Sequence, residues 1–122
     1  GVAHTLAKLG ATVTLNDYKQ IEFDVEENQR FLDDNITVIT GQQDFVLLDN
    51  TDRVVVSPGI SLEIPIICEA KKRNIPVVGE VEIAYEVSKA PILGVTGTNG
   101  KTTTTSLLAA VLKEAEGCVC WW

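Results

Sequence analysis

Apolar and polar positions follow one another in short blocks along the chain, and their period switches repeatedly between that of a helix and that of a strand. Val2, Leu6 and Leu9 recur at helical spacing, and β-branched residues dominate the block that follows Gly10. The block 53–56 is apolar without alternation, which is typical of a parallel strand covered on both faces. The pattern predicts strands over 11–16, 36–39, 53–56, 75–78 and 91–95, and helices over 1–9, 22–34, 62–73, 80–88 and 101–116.

Strands and helices alternate throughout, with short connections. This order predicts an α/β fold with a doubly wound, Rossmann-like parallel sheet, in which ligands bind at the carboxyl ends of the strands. We expect Ser61 to cap the third helix, Ile66, Ile67 and Ala70 to face inward from it, and His4 on the first helix to face solvent. An apolar stripe on the last helix predicts core packing of Leu107, Leu108, Val111, Leu112 and Ala115.

Composition and charge exclude several classes of partner. The 122 residues are 45% hydrophobic and 22% charged, which fits a compact core. Ten basic against 17 acidic residues give a net charge of −7, so we expect binding neither to nucleic acid nor to an anionic membrane surface. The apolar blocks are far shorter than the about 18 residues of a membrane span, so we expect no membrane insertion. Cys68, Cys118 and Cys120 suit neither a disulfide framework nor a zinc site, and we expect free thiols.

The most specific motif lies between the last predicted strand and the last helix, where the sequence is Gly94-Val95-Thr96-Gly97-Thr98-Asn99-Gly100-Lys101-Thr102. Glycines let backbone N–H groups converge on phosphate oxygens, and the helix N-terminus adds the positive end of its dipole. Lys101 supplies a charge for the β- and γ-phosphates, and the Thr102 hydroxyl can ligate Mg²⁺. The spacing departs from G-x-x-x-x-G-K-[ST], because position 95 is valine and the glycines repeat every three residues. The predicted phosphate-binding residues are Gly97, Thr98, Asn99, Gly100, Lys101, Thr102 and Thr103.

Residues at the ends of two other predicted strands form a weaker candidate site. Asp17 lies near the place where a dinucleotide-binding fold carries an acidic residue for a ribose or base, about 20 positions beyond its first glycine. The alternative is that Asn16 and Asp17 merely end a strand, since both residue types favour turns. A Pro-Gly turn after the central strand is placed to lend backbone N–H groups to a ligand, although Pro-Gly is also an ordinary turn. The residues of that turn are Ser57, Pro58, Gly59 and Ile60.

Four segments carry a family resemblance, and in chain order they are Val13-Thr14-Leu15-Asn16-Asp17, Val56-Ser57-Pro58-Gly59-Ile60, Val78-Gly79-Glu80-Val81-Glu82 and Thr96-Gly97-Thr98-Asn99-Gly100-Lys101-Thr102. In order and spacing they resemble the Mur ligases, and the resemblance covers most of the sequence. The glycine repeat of the phosphate loop is that family's own form of the motif. The resemblance implies a UDP-precursor-binding domain over 1–91 that lacks its first strand, followed over 92–122 by the start of a truncated central ATP-binding domain. The residues after about 115 depart from the family pattern, so we expect a fragment that is inactive alone.

The resemblance also implies an activity, that of the Mur ligases that add D-glutamate to UDP-N-acetylmuramoyl-L-alanine in peptidoglycan synthesis. In that reaction ATP converts the precursor carboxylate to an acyl phosphate, which the D-glutamate amine attacks. By position, the resemblance assigns Lys101 and Thr102 to ATP and Mg²⁺ as catalytic residues, and Asp17 with the turn 57–60 to the UDP group. It further implies a cytoplasmic monomer.

Two other functions stay open on the sequence. A nicotinamide-dependent oxidoreductase would use the amino-terminal half as its cofactor domain, but it leaves Gly100-Lys101-Thr102 unexplained. A non-catalytic nucleotide-binding module would explain the phosphate loop without ligase chemistry. Titration with NAD and with ATP distinguishes the oxidoreductase from the other two.

Overall fold

The computed structural model describes residues 1–116 of the chain. Cys118 and Cys120, for which the sequence predicts free thiols, lie outside the described residues. Cys68 is a free, half-buried thiol whose Sγ donates to the Glu63 carbonyl oxygen at 3.5 Å. The chain divides into two compact units, one of Gly1–Val87 and one that begins at Ser88.

The first unit alternates helices and strands as the sequence predicts, and all of its elements are short. Its strands are β1 (Thr14–Asp17), β2 (Thr37–Thr40), β3 (Val54–Val56) and β4 (Val77–Gly79), and its helices are α1 (Val2–Lys8), α2 (Val25–Asp33), α3 (Pro65–Lys72) and α4 (Glu80–Val87), with a 3₁₀ helix at Phe45–Leu48.

The four strands form two separate two-stranded sheets, and both sheets are parallel. β1 pairs with β2 from Thr14 opposite Thr37 onward, and the pairing of β3 with β4 ends at Val56 opposite Gly79. The predicted α/β class and the parallel pairing are therefore confirmed. The single doubly wound sheet is not observed, because β1 and β3 each pair with only one strand among the described residues. Local periodicity indicates which segments are extended, whereas long-range hydrogen bonds decide which strands lie side by side.

The core of the first unit lies between α3 and the β3–β4 sheet. Ile67 and Ala70 are 3% and 0% exposed, and together with buried Ile66 they confirm the predicted inward face of α3. Leu48 of the 3₁₀ helix completes this buried cluster. Half-buried apolar residues pack around it: Leu47, Val54, Val56, Ile64, Ile75 and Val77.

The helix α3 begins at Pro65 and not at the predicted Leu62. Its N-cap residue is Ile64, which has the extended conformation φ −66°, ψ 148° and makes no side-chain cap bond. A residue that precedes proline rarely adopts the helical backbone conformation, so Pro65 determines where this helix starts. Ser61 therefore does not cap the helix, and its Oγ accepts a hydrogen bond from the Glu63 N–H at 3.2 Å.

The contact between α1 and the end of α2 is built around His4, which the sequence predicts to face solvent. The His4 ring stacks on Phe31 with the ring centroids 5.3 Å apart, and its Nδ1 lies 2.6 Å from Asp34 Oδ2. Its side chain is only 26% exposed. The prediction is wrong because the helical pattern of α1 does not show which neighbouring helix covers a polar position.

In the second unit the described residues form one helix, α5 (Lys101–Glu116), with the predicted bounds. Residues 91–95, predicted to be a strand, form none, since no described strand lies beside them to share backbone hydrogen bonds. The apolar stripe of α5 is split: Leu107 and Val111 are 64% and 65% exposed, and Leu108 and Leu112 are half-buried. The predicted core packing of the whole stripe is therefore wrong for its exposed side. No described helix is both long and apolar enough to pass through a membrane.

Candidate functional site

The predicted phosphate-binding residues are exposed and consecutive: residues 97–100 form a loop, and Lys101, Thr102 and Thr103 are the first three residues of α5. Gly97 and Gly100 have φ angles of +153° and +78°, which residues with a side chain rarely adopt. A Cβ on Gly97 would lie 3.5 Å from the Asn99 carbonyl oxygen, whereas a Cβ on Gly100 would meet nothing within 4 Å. These two glycines are therefore needed because their φ angles are positive, and not because a side chain at either position would clash with a neighbouring group. Gly94 has neither a positive φ nor a close neighbour.

The side chain of Lys101 folds back over this loop from the first residue of α5. Its Nζ donates to the Gly97 carbonyl oxygen at 2.5 Å, which holds the ammonium group beside the N-terminus of the helix. An anion in the loop would offer Nζ a charged acceptor, which forms a stronger hydrogen bond than a neutral carbonyl. The loop therefore carries its positive charge at the place where a phosphate would be bound.

The first turn of α5 presents backbone donors to the same place. The Thr104 N–H donates to the Gly100 carbonyl oxygen at 2.9 Å. The N–H groups of Lys101, Thr102 and Thr103 have no acceptor within the part of the chain that the structure describes. Unpaired N–H groups at a helix N-terminus, together with the helix dipole, favour an anion such as phosphate.

Thr102, the predicted Mg²⁺ ligand, is exposed on the first turn of α5. Its hydroxyl oxygen is a donor of the kind that Mg²⁺ accepts. Within residues 1–116, no group of three or more acidic, histidine or cysteine side chains could hold a metal ion. This donor set fits a Mg²⁺ ion that is bound mainly by phosphate oxygens and water, with Thr102 as its ligand from these residues.

Asp17 ends β1, and its carboxylate is only partly engaged. Asp17 Oδ1 accepts a hydrogen bond from the Lys19 N–H at 2.8 Å, and Oδ2 has no partner among residues 1–116. The neighbouring Asn16 donates from Nδ2 to the carbonyl oxygens of Ile39 at 3.0 Å and Gln42 at 2.8 Å. Asn16 thus ties the end of β1 to the end of β2, and Asp17 keeps one oxygen able to accept a hydrogen bond from a ligand.

The segment Ser57–Ile60 is a tight turn at the carboxyl end of β3. The Ile60 N–H donates to the Ser57 carbonyl oxygen at 3.2 Å, and Gly59 follows Pro58 with a φ of +87°, the arrangement of a type II turn. Pro58 has no N–H, and that of Ile60 is used within the turn. Of these last three residues, only Gly59 keeps an N–H without an acceptor in the described chain.

The side chain of Ser57 is hydrogen-bonded to Glu80, the residue that follows the neighbouring strand β4. Its Oγ donates to Glu80 Oε1 at 2.8 Å. Glu80 is the first residue of α4 and directly follows Gly79, whose N–H donates to the Glu82 carboxylate. Sequence reasoning missed both Glu80 and Asn16 as site residues. The position of each at a predicted strand end is the signal that could have identified them.

The structure thus places the predicted residues in three groups: the loop 97–100 with the first three residues of α5, Asp17 with its neighbours, and the turn at Ser57. No hydrogen bond among the described residues joins Asp17 to the turn. A separate concavity of the first unit lies around His4 and Asp34, and it contains none of the predicted site residues.

Comparisons with known proteins match two family models to separate parts of the chain. The family described as Mur ligase MurD-like, N-terminal domain, matches residues 1–79, and the Mur ligase middle domain matches residues 95–121. A protein from Lactococcus lactis subsp. lactis (strain IL1403) named UDP-N-acetylmuramoylalanine–D-glutamate ligase is 50% identical over 116 residues, which are 94% of this chain and 25% of that protein. A protein of the same name from Streptococcus mutans is 47% identical over 114 residues, or 93% of this chain and 25% of that protein.

One solved structure also matches the chain. The structure of a pseudomurein peptide ligase type C from Methanothermus fervidus matches with a TM-score of 0.57 and 26% identity, over 93% of this chain and 23% of that one. The chain therefore spans about a quarter of the length of the proteins that it matches. Since the MurD-like N-terminal domain matches well over half of its residues, the chain belongs to the Mur ligase family.

Proposed function

We propose that this chain supplies the UDP-precursor site and the phosphate loop of an ATP-dependent ligase that adds D-glutamate to UDP-N-acetylmuramoyl-L-alanine. The observation that carries the proposal is the loop in which Lys101 Nζ lies 2.5 Å from the Gly97 carbonyl oxygen, beside the unpaired N–H groups of α5. Relatives that are named for this reaction are about 50% identical to the chain. In this proposal residues 1–91 bind the precursor, and residues 92–122 begin the ATP-binding domain.

In the proposed reaction a carboxylate oxygen of the precursor attacks the γ-phosphorus of ATP, and ADP leaves. Lys101 and the N–H groups of the first turn of α5 stabilise the negative charge on the phosphoryl oxygens. Thr102 would hold Mg²⁺, which supplies further positive charge to the phosphates. The D-glutamate nitrogen then attacks the carbonyl carbon of the acyl phosphate, inorganic phosphate leaves, and the amine gives up a proton.

The UDP end of the precursor is assigned to Asp17 and to the turn at Ser57–Ile60. An ionised Asp17 repels phosphate, but its Oδ2 can accept a hydrogen bond from a ribose hydroxyl or a base N–H. The Gly59 N–H is a donor and therefore suits a phosphate oxygen. Asp17 ends β1 and the turn follows β3, so both lie at the carboxyl ends of parallel strands, where ligands bind in α/β proteins.

Crossed titrations of the chain test the two sites separately. Lys101→Ala is expected to weaken MgATP binding and to leave UDP-N-acetylmuramoyl-L-alanine binding unchanged. Asp17→Ala is expected to weaken the precursor by about 1–3 kcal/mol and to leave MgATP unchanged. Lys113→Ala, at an exposed lysine of the same helix, is the control for loss of charge. If either site variant weakens both ligands equally, the sites are wrongly assigned, and tight binding of NAD in place of ATP supports the oxidoreductase.

Ligation itself is measured in a chimera, because the chain spans about a quarter of its relatives. The chain replaces the matching quarter of the Lactococcus lactis ligase, and ADP release is followed with and without D-glutamate. We expect D-glutamate-dependent turnover that Lys101→Ala abolishes, and no product from the chain alone, because catalysis needs the complete set of aligned groups. A folded chimera that binds both ligands but does not turn over supports the non-catalytic module.

A further inference from the structure

We propose that Glu80 is a positioning residue of the UDP site and that it acts through the Ser57 hydroxyl. The inference rests on the proposed function, since it assumes that the turn at Ser57 borders the precursor. Because Ser57 donates its hydroxyl proton to Glu80, its oxygen can only accept a hydrogen bond from a ligand. The ligand group that contacts Ser57 is therefore a hydroxyl or N–H of the nucleoside and not a phosphate.

Strand register is the first support for this inference. Val56 lies opposite Gly79 in the last pair of the β3–β4 ladder, so Ser57 and Glu80 are the next residues on each side. Their side chains continue the pairing beyond the backbone ladder, with Ser57 Oγ 2.8 Å from Glu80 Oε1. The bond therefore joins the turn to the start of α4 at the carboxyl ends of both strands.

The chemistry of the hydroxyl is the second support. A serine hydroxyl has one proton to donate and two lone pairs that accept. In Ser57 the proton is directed at Glu80, and only the lone pairs remain for a ligand. A phosphate oxygen is itself an acceptor and gains nothing from those lone pairs, whereas a ribose hydroxyl or a base N–H donates to them. Of residues 58–60, only Gly59 keeps an N–H without an acceptor in the described chain, and this donor suits the phosphate instead.

The position of Glu80 on α4 is the third support. A carboxylate in the first turn of a helix is stabilised by the helix dipole, so the charge of Glu80 is favourable where it stands. The other acidic residue of that turn, Glu82, is engaged by the Gly79 N–H. Each of the two carboxylates in the first turn of α4 therefore has its own donor, and Glu82 does not compete with Glu80 for the Ser57 hydroxyl.

A double-mutant cycle in the full chain tests the inference, with UDP as the probe in calorimetric titrations. We expect Ser57→Ala and Glu80→Ala each to weaken UDP binding about three- to tenfold, the effect of one hydrogen bond. The double variant is expected to bind no more weakly than either single variant, because both changes remove the same oriented hydroxyl. Glu80→Gln keeps an oxygen acceptor for Ser57, and it is expected to bind UDP within about twofold of the unmodified chain, a change much smaller than the loss of one hydrogen bond.

Two further measurements separate positioning from a structural role. Glu86→Ala removes an exposed carboxylate of the same helix that pairs with Arg53, and it should leave UDP binding unchanged. MgATP binding should be unchanged in every variant. Additive losses in the cycle, or a Glu80→Gln variant as weak as Glu80→Ala, would overturn the inference. If the unmodified chain does not bind UDP, the proposed function fails at its precursor site, whereas UDP binding that Glu80→Ala leaves intact refutes only the role of Glu80.

Discussion

Replacement of Gly100 by alanine tests the idea that phosphate binding by the proposed phosphate loop depends on backbone conformation. Gly100 has a φ of +78°, and a Cβ built on it meets no atom within 4 Å. The substitution therefore introduces no steric clash with neighbouring groups. Its whole cost lies in the left-handed backbone, which an alanine adopts at about 1–2 kcal/mol.

That cost falls on nucleotide binding more than on folding. The loop is exposed, so a free Gly100→Ala chain can relax to a negative φ with little loss of packing. Binding a phosphate restores the left-handed conformation, because the N–H groups of α5 and of the loop must converge again. A cost of about 1–2 kcal/mol corresponds to about 5- to 30-fold weaker binding of MgATP.

Titration of three variants with MgATP measures this effect. Gly94→Ala is the matched control, since Gly94 has no positive φ and no neighbour within 4 Å of an added Cβ, and its affinity should stay unchanged. Gly100→Asn should lie between the two, because asparagine adopts left-handed conformations more readily. Asn35 and Asn74 already do so in this chain, with φ angles of +53° and +58°. Equal affinities for Gly94→Ala and Gly100→Ala would refute the argument from backbone conformation.

Two further predictions concern the stability of the first unit. Ile67→Ala, at a side chain that is 3% exposed, should lower the free energy of unfolding by about 2–5 kcal/mol in urea denaturation, whereas Val81→Ala, at one that is 72% exposed, should change it by about 0.5 kcal/mol or less. The hydrogen bond from Arg73 lowers the pKa of Glu69, so this pair stabilises the fold above the ordinary carboxyl pKa and the contribution is lost as the pH falls through the lowered value. Melting temperatures measured from neutral pH down to about pH 3 should therefore fall less steeply for Glu69→Gln than for the unmodified chain. Glu63→Gln is the control, and if its melting temperature fell with pH as gradually as that of Glu69→Gln, the assignment to Glu69 would be contradicted.

The elements that the sequence predicts well are those determined by nearby residues. α5 has its predicted bounds because a glycine-rich loop precedes a long run of residues compatible with a helix. The start of α3 at Pro65 also has a local cause, and the rule for the residue before proline would have placed it correctly. The pairing of β1 with β2 and of β3 with β4 depends on contacts between distant segments. For that reason the sequence pattern predicted parallel strands and did not predict two sheets.

The same distinction separates the parts of the candidate site. The phosphate loop is made of consecutive residues, and its spacing was enough to place Lys101 at the start of a helix. The partners of Asp17 and Ser57 come from other strands, so Asn16 and Glu80 were not recognised until both strand ends were seen together. His4 shows the same limit, because its partners belong to a different helix.

Strand register connects the core of the first unit to the proposed precursor site. Ser57 meets Glu80 only because Val56 lies opposite Gly79, and a slip of one residue would turn every side chain of β4 to the other face. Val54, Val56 and Val77 oppose such a slip, because they pack against the cluster around Ile67. The orientation of the Ser57 hydroxyl therefore depends on the packing of α3. The candidate phosphate loop depends instead on two glycines with positive φ and on the first turn of one helix. A change in the core around α3 should therefore weaken the proposed UDP binding before it weakens the proposed ATP binding.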